Sequence, residues 1–253
     1  MKRILFLVVM MCLSCSSGRE WTKSPVDQLI RDLDKEKTFT IILYDMDVEG
    51  SFSKDYKHQY KIITDKNSQP VEEITGWKKV TEKFFFQNEN NLGMELASKD
   101  STGKVHKEVA PAGFSNYVGN PQYGQWVGSG TSSFWQFYGQ YAFMSAMFNM
   151  FDRPRYGYYN DYYSNYRYKN RPYYGPKTNG KSYYGTYGKH TEKARPNFFK
   201  RKVDKIKQSK RSFTDRVKNR VRRSSSSSTR TSRSSSRYRS SSSFRSRGGG
   251  FGK

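Results

Sequence analysis

The sequence predicts an α+β fold: one N-terminal helix covering a four- to five-stranded antiparallel meander, followed by an aromatic helix and a long disordered basic tail. Three observations carry that prediction. A helix-opening signature at Ser24 precedes a single apolar stripe, runs of strand length divided by turn residues follow it to about residue 110, and charge is split unevenly along the 253-residue chain. Residues 1 to 151 hold 17 Lys+Arg and 17 Asp+Glu, whereas residues 152 to 253 hold 29 and 5, so the second part carries the whole formal charge of +24. The first part has apolar residues enough for one modest domain. The second has too few aliphatic residues and too much charge to bury a core.

Residues 24 to 110 form the predicted domain. Ser24 can cap free amides, Pro25 suits the first helical position and Asp27 completes a capping box. Val26, Leu29, Ile30 and Leu33 then share one face, with a helix end expected near Lys35. From Phe39 to Val48 the chain is β-branched and aromatic, and Ile41, Ile42, Leu43 and Tyr44 are apolar on both faces, which predicts a central strand. Beyond a turn at residues 50 to 55, Tyr56, His58, Tyr60 and Ile62 alternate with Lys57, Gln59 and Lys61, a strand with one wet face. Residues 65 to 70 read as a second turn, and Val71 to Trp77 as a short strand or helical turn. Val80, Glu82, Phe84 and Phe86 alternate with Thr81, Lys83 and Phe85, predicting a third strand. Met94, Leu96 and Ser98 mark a fourth, joined through Asp100-Ser101-Thr102-Gly103 to a partner at residues 105 to 109.

Residues 111 to 151 contain no ionisable group other than tyrosine, and a helix is predicted near 133–151 on the stripe Phe134, Tyr138, Tyr141, Ser145, Phe148 and Phe151. Such a helix packs on the domain, lies on a membrane surface or self-associates; each makes it a contact surface. Residues 152 to 194 include twelve tyrosines between 156 and 187, with no helical or strand period, and read as a disordered Tyr/Gly-rich segment. Residues 195 to 223 predict a basic amphipathic helix: Phe199, Val203, Ile206, Phe213, Val217 and Val221 recur at three-to-four spacing, with Lys210 breaking the stripe. Lys200, Arg201, Lys202, Lys205, Lys207, Arg211, Arg216, Lys218, Arg220, Arg222 and Arg223 surround that stripe and are the candidate polyanion-binding residues. Residues 224 to 253 read as a disordered Ser/Arg-rich tail.

The first residues give the chain an address. Lys2 and Arg3 precede an apolar run from Ile4 to Met11, too short to span a bilayer, and Cys12-Leu13-Ser14-Cys15 passes at once into Ser16-Ser17-Gly18. Residues 1 to 14 therefore read as a signal peptide and 15 to 23 as a tether. The Leu13-Ser14-Cys15 ending resembles the lipobox of bacterial lipoproteins processed by signal peptidase II, with Leu13 one place later than in that family. The resemblance implies lipidation of Cys15 and a membrane-anchored protein of the cell envelope. Ser16 further resembles the pattern of lipoproteins sent to the outer membrane where the organism has one. Small residues at Ser14 and Ser16 also suit ordinary signal-peptide cleavage.

Chemistry is sparse. Both cysteines lie in the leader, so the mature chain forms no internal disulfide and has no thiolate metal site. His58, His106 and His190 are not at metal-site spacing. Asp45, Asp47 and Glu49 alternate at a strand end and could gather a cation or act as acid and base, but read as a solvated terminus. No cofactor, metal or catalytic residue is predicted, and the chain does not read as an enzyme. The expected partners are the membrane, through the lipid anchor, and anionic lipid or polysaccharide, through the basic arm. An acidic protein partner fits the same charge. The alternative is a nucleic-acid-binding protein using the Tyr/Arg-rich and Ser/Arg-rich segments.

Overall fold

A computed structural model describes residues 24–50, 53–67, 69–150, 152–169 and 171–230, with side chains through residue 224. The chain divides into two units, Met1–Ile206 and Lys207–Lys253. The first unit is α+β. Its opening helix α1 (Pro25–Asp32) starts as its residues dictate: the Ser24 hydroxyl accepts from the Asp27 amide at 3.1 Å, and Val26 and Leu29 turn inward.

The strands are β1 (Phe39–Glu49), β2 (Asp55–Lys66), β3 (Gln69–Ile74), β4 (Lys78–Val80), β5 (Met94–Lys99), β6 (Val105–His106) and β7 (Ala110–Pro111). They form one antiparallel sheet in the order β3-β2-β1-β5-β6, with β4 added to β2 and β7 to β5. β1 lies in the middle, as its two apolar faces require. Ile41, Leu43, Met46 and Val48 face a core shared with Val26, Leu29, Tyr60 and Phe85. Ile42, with Ile63 from β2, faces a second core built from residues 110–173. Both sheet faces are thus covered.

The sheet is not the expected four- to five-stranded meander: among the described residues it has seven strands, and β5 returns to pair with β1. Four further expectations need correction. The alternation from Val80 to Phe86 is not a strand: β4 stops at Val80, and helix α2 (Glu82–Gln87) follows. The Thr81 hydroxyl caps it, accepting from the Phe84 amide at 3.2 Å. One helical turn buries Phe85 while Phe84 and Phe86 flank it against His58 and Tyr56, which a strand could not do for three successive aromatics. Residues 133–151 are not one helix. β8 (Gly124–Val127) and β9 (Phe134–Phe137) form a hairpin, a 3₁₀ turn spans Gly139–Tyr141, and α3 is only Met144–Met147. Trp135 and Phe137 are buried with exposed Gln136 between them, so period two wins there, and Asn149 leaves the helical region at φ 50°.

Residues 152–194 are ordered wherever they are described. They carry α4 (Tyr156–Asn165), the small ribbon β10 (Lys177–Thr178) and β11 (Lys181–Ser182), and α5 (Lys189–Ala194). Tyr162 and Tyr173 are buried beside Phe114 and Tyr117. A tyrosine ring buries about 150–250 Å². Aromatic rings thereby cover the second sheet face that aliphatic residues are too few to cover. The fourth of these concerns the basic helix. It breaks at Lys202 into α6 (Pro196–Arg201) and α7 (Val203–Arg230), and Phe198, Val203 and Ile206 belong to the first core. Residues 231–253, expected to be a Ser/Arg-rich tail, lie outside the described residues.

Ile206 is fully buried, whereas Val221 on the same helix is 60% exposed. Ile206→Ala is therefore expected to cost about 2–5 kcal/mol, and Val221→Ala to stay within about 0.5 kcal/mol. Chemical denaturation measures both; equal costs would mean that Ile206 is not a core residue.

Candidate polyanion-binding surface

At the root of the basic segment, within the first unit, the strand register decides the geometry. The β1–β2 pairing shifts between Leu43 and Asp45, a bulge that leaves Tyr44 unpaired. The Tyr44 carbonyl accepts a hydrogen bond from the Arg195 guanidinium, which also lies 5.2 Å from the Tyr44 ring centroid. Arg195 reaches Asp45 at 3.5 Å, and Lys202 reaches Asp45 at 3.2 Å and Asp47 at 3.5 Å. The three acids at the end of β1 do not converge on a vacant site: Asp45 and Asp47 share Lys202, and Glu49 pairs with Lys57 at 2.7 Å. Among the described residues no cluster of three or more His, Cys, Asp or Glu could hold a metal ion.

Lys202 is thereby corrected from a polyanion contact to an anchor, its side chain only 24% exposed and shared by two carboxylates. Lys200, Arg201 and Lys205 are exposed in the first unit. Lys207, Arg211, Arg216, Lys218, Arg220, Arg222 and Arg223 are exposed in the second, along α7.

The second unit's helix sorts these residues by angle. At about 100° per residue, Lys207, Arg211, Lys218 and Arg222 fall within about 60° of one another around the axis. Arg216, Arg220 and Arg223 form another basic stripe, and Phe213, Val217 and Val221 lie between the two on the remaining side, with Lys210 among them. Residues 207 to 224 hold eight Lys or Arg and one acid, Asp215. A narrow apolar line bordered by cations on both sides matches an anionic surface: the apolar line enters the interface while the cations meet its charges.

Elsewhere in the first unit His58 and Glu95 are buried, as are Lys61 and Glu89. His58 is fully buried among Tyr60, Phe84 and Phe85, with Nδ1 3.1 Å from the Tyr60 hydroxyl, and burial lowers its pKa to about 3. Glu95, paired with Ile42 across the sheet, is also fully buried. Burial raises its pKa to about 7, although the Ser115 hydroxyl and the Gly113 amide donate to it, each at 2.5 Å. Sequence reasoning missed Glu95 and Arg195. Arg195 had one local signal, its place immediately before the proline that opens α6.

The Tyr/Arg-rich segment of the nucleic-acid alternative spends part of its tyrosines on the core: Tyr162 and Tyr173 are each 2% exposed. Among the described residues no helix is long and apolar enough to cross a membrane. Cys15, the candidate lipidation site, lies outside the described residues. No family model, curated protein or solved structure matches the chain.

Proposed function

We propose that this chain is an exported lipoprotein, tethered to a membrane of the cell envelope through Cys15, which acts as an adaptor. Its α+β unit presents a basic helical arm, and the arm holds anionic envelope polymers or lipid headgroups near the membrane. The observation that carries this reading is the pair of basic stripes bordering Phe213, Val217 and Val221 on α7. The leader supports the tether, because a short apolar run ending in Leu13-Ser14-Cys15 followed by serines suits export and acylation. Two acyl chains, at about 0.8 kcal/mol per buried methylene, make the attachment permanent on a cellular timescale.

Attraction by counterion release and headgroup charge asks for little shape recognition, so the arm discriminates by charge density. The reading also gives Lys202 a different task from its neighbours: with Arg195 it fastens the start of the arm to Asp45 and Asp47. In cells fed radiolabelled palmitate, the wild-type chain is expected to take up label and Cys15→Ala none. Label in the Cys15→Ala protein would remove the tether from the account.

A further inference from the structure

A cleft of about 590 Å³ opens in the first unit, lined by Ser132, Phe134, Asp152, Arg153, Arg155, Tyr158, Tyr183, Tyr184 and Lys193. Its volume lies within the range of small-molecule sites. The segment bearing Arg153 and Arg155 is extended. Its backbone pairs with β9, the Trp135 amide donating to the Pro154 carbonyl and the Tyr156 amide to the Ser133 carbonyl, both at 2.8 Å. Alternation along an extended chain puts Arg153 and Arg155 on one side and Pro154, which is buried, on the other. Both arginines therefore line the cleft.

The charges facing it are unbalanced. Among the described residues no carboxylate lies within ion-pair distance of Arg153 or Arg155; Arg153 instead stands 4.7 Å from the Phe134 ring centroid. The one acid in the lining, Asp152, already accepts from the Tyr183 hydroxyl at 2.5 Å and lies 3.9 Å from Lys193. Three cations against one acid leave an excess of two positive charges, which matches a phosphate monoester, whose charge near neutral pH is about −1.5 to −2. Arginine forks suit phosphate because they can bind it through two parallel N–H groups. Beside them, Tyr158 and Tyr183 stand with ring centroids 5.6 Å apart. Their faces can meet the C–H edges of a sugar while their hydroxyls, Ser132 and Asp152 meet its hydroxyl groups.

We infer that this cleft binds a phosphorylated sugar, with the phosphate held between Arg153 and Arg155 and the ring against Tyr158 and Tyr183. The site belongs to the folded unit and does not rest on the arm or on lipid attachment.

Calorimetric titration of the full chain with glucose 6-phosphate tests it, with glucose, inorganic phosphate and adenosine 5′-monophosphate as the other probes. Glucose 6-phosphate is expected to bind about tenfold or more tighter than any of the three. Arg153→Ala/Arg155→Ala should lose about tenfold or more, with the melting temperature checked in parallel. Arg153→Lys/Arg155→Lys, which keeps charge and bulk, should also weaken binding by about threefold or more because the forks are gone. Changing Lys207, Arg211, Lys218 and Arg222 to glutamine should leave this affinity unaltered, which separates the cleft from the arm. Inorganic phosphate binding as tightly as the sugar phosphate would reduce the cleft to a plain anion site and overturn the inference. So would tighter binding of the nucleotide, full affinity in a folded arginine variant, or loss of affinity on changing the arm alone.

Discussion

Replacing Lys207, Arg211, Lys218 and Arg222 together by glutamine is expected to weaken retention of the protein on anionic vesicles by about 10³-fold. The four lie on one stripe of α7, and each cation close to an anionic surface contributes about 1 kcal/mol, so removing all four costs about 4 kcal/mol of attraction. The residual binding should also depend less steeply on salt, since fewer counterions are released. All four side chains are exposed, so the melting temperature is expected to hold. Lys202→Gln should behave in the opposite way: retention changes little, because Lys202 faces Asp45 and Asp47, and the root of the arm loosens. Sedimentation with vesicles at rising salt separates the two. Equal losses of retention in both variants would erase the distinction between anchor and arm.

The second large effect is on stability against pH, and it comes from two buried groups of opposite sense. Glu95 moves from 4.5 to about 7 on folding. Between those values the unfolded chain has released the proton and the folded chain keeps it, so stability falls as pH rises and by pH 8 is lower by about 3 kcal/mol. His58 moves from 6.5 to about 3. There the unfolded chain binds the proton that the folded chain refuses, so stability is full above 6.5 and is lost as pH falls toward 3, by about 5 kcal/mol.

Between 4.5 and 6.5 the slopes of these two groups cancel, while His190, whose pKa burial also lowers, adds a rise of stability with pH. Glu95→Gln removes one of them. Its stability is expected to rise more steeply across that window than the wild type's, and at pH 8 it should melt about 6–12 °C higher. The amide keeps an oxygen for the Gly113 N–H, and Ser115 Oγ, 3.2 Å from the Tyr162 hydroxyl, can accept from the new amide group. The difference between the two pH profiles isolates Glu95 from every other titrating group. Parallel profiles would show that Glu95 is ionised in the folded state at neutral pH, as on the surface.

What could be read from the sequence was what neighbours along the chain decide. Ser24, Pro25 and Asp27 place a helix start within four residues, and the alternation around Tyr56 to Ile62 and the two-faced run at Ile41 to Leu43 place β2 and β1. Near Phe84 two local signals compete. The Thr81 cap and the need to bury one of three adjacent aromatics outweigh an alternation that looks like strand.

Other features depend on partners far along the chain. Met94, Leu96 and Ser98 imply that Glu95 faces water, which would hold if the sheet were bare on that side. The Tyr-rich segment covers it instead, and tyrosines without any period give no hint that they form a layer. Arg195 meets the Tyr44 carbonyl across 151 residues, at a bulge that no local pattern announces. The arm itself was legible from Phe213 onward, because there charge and apolar spacing suffice. Its first turns were not, since Val203 and Ile206 belong to the core and only coincidentally share the stripe's spacing, and the buried phenylalanine beside them is Phe198, not Phe199 of the stripe.

Tether and arm meet in one measurement: liposomes of neutral lipid carrying the acylated mature chain, mixed with fluorescent heparin as the anionic polymer and then floated on a density gradient. The adaptor account predicts that heparin floats with liposomes bearing the wild-type chain, leaves them as salt is raised, and stays at the bottom when Lys207, Arg211, Lys218 and Arg222 are glutamine. Heparin that floats equally well with the glutamine variant, or not at all with the wild type, would contradict it.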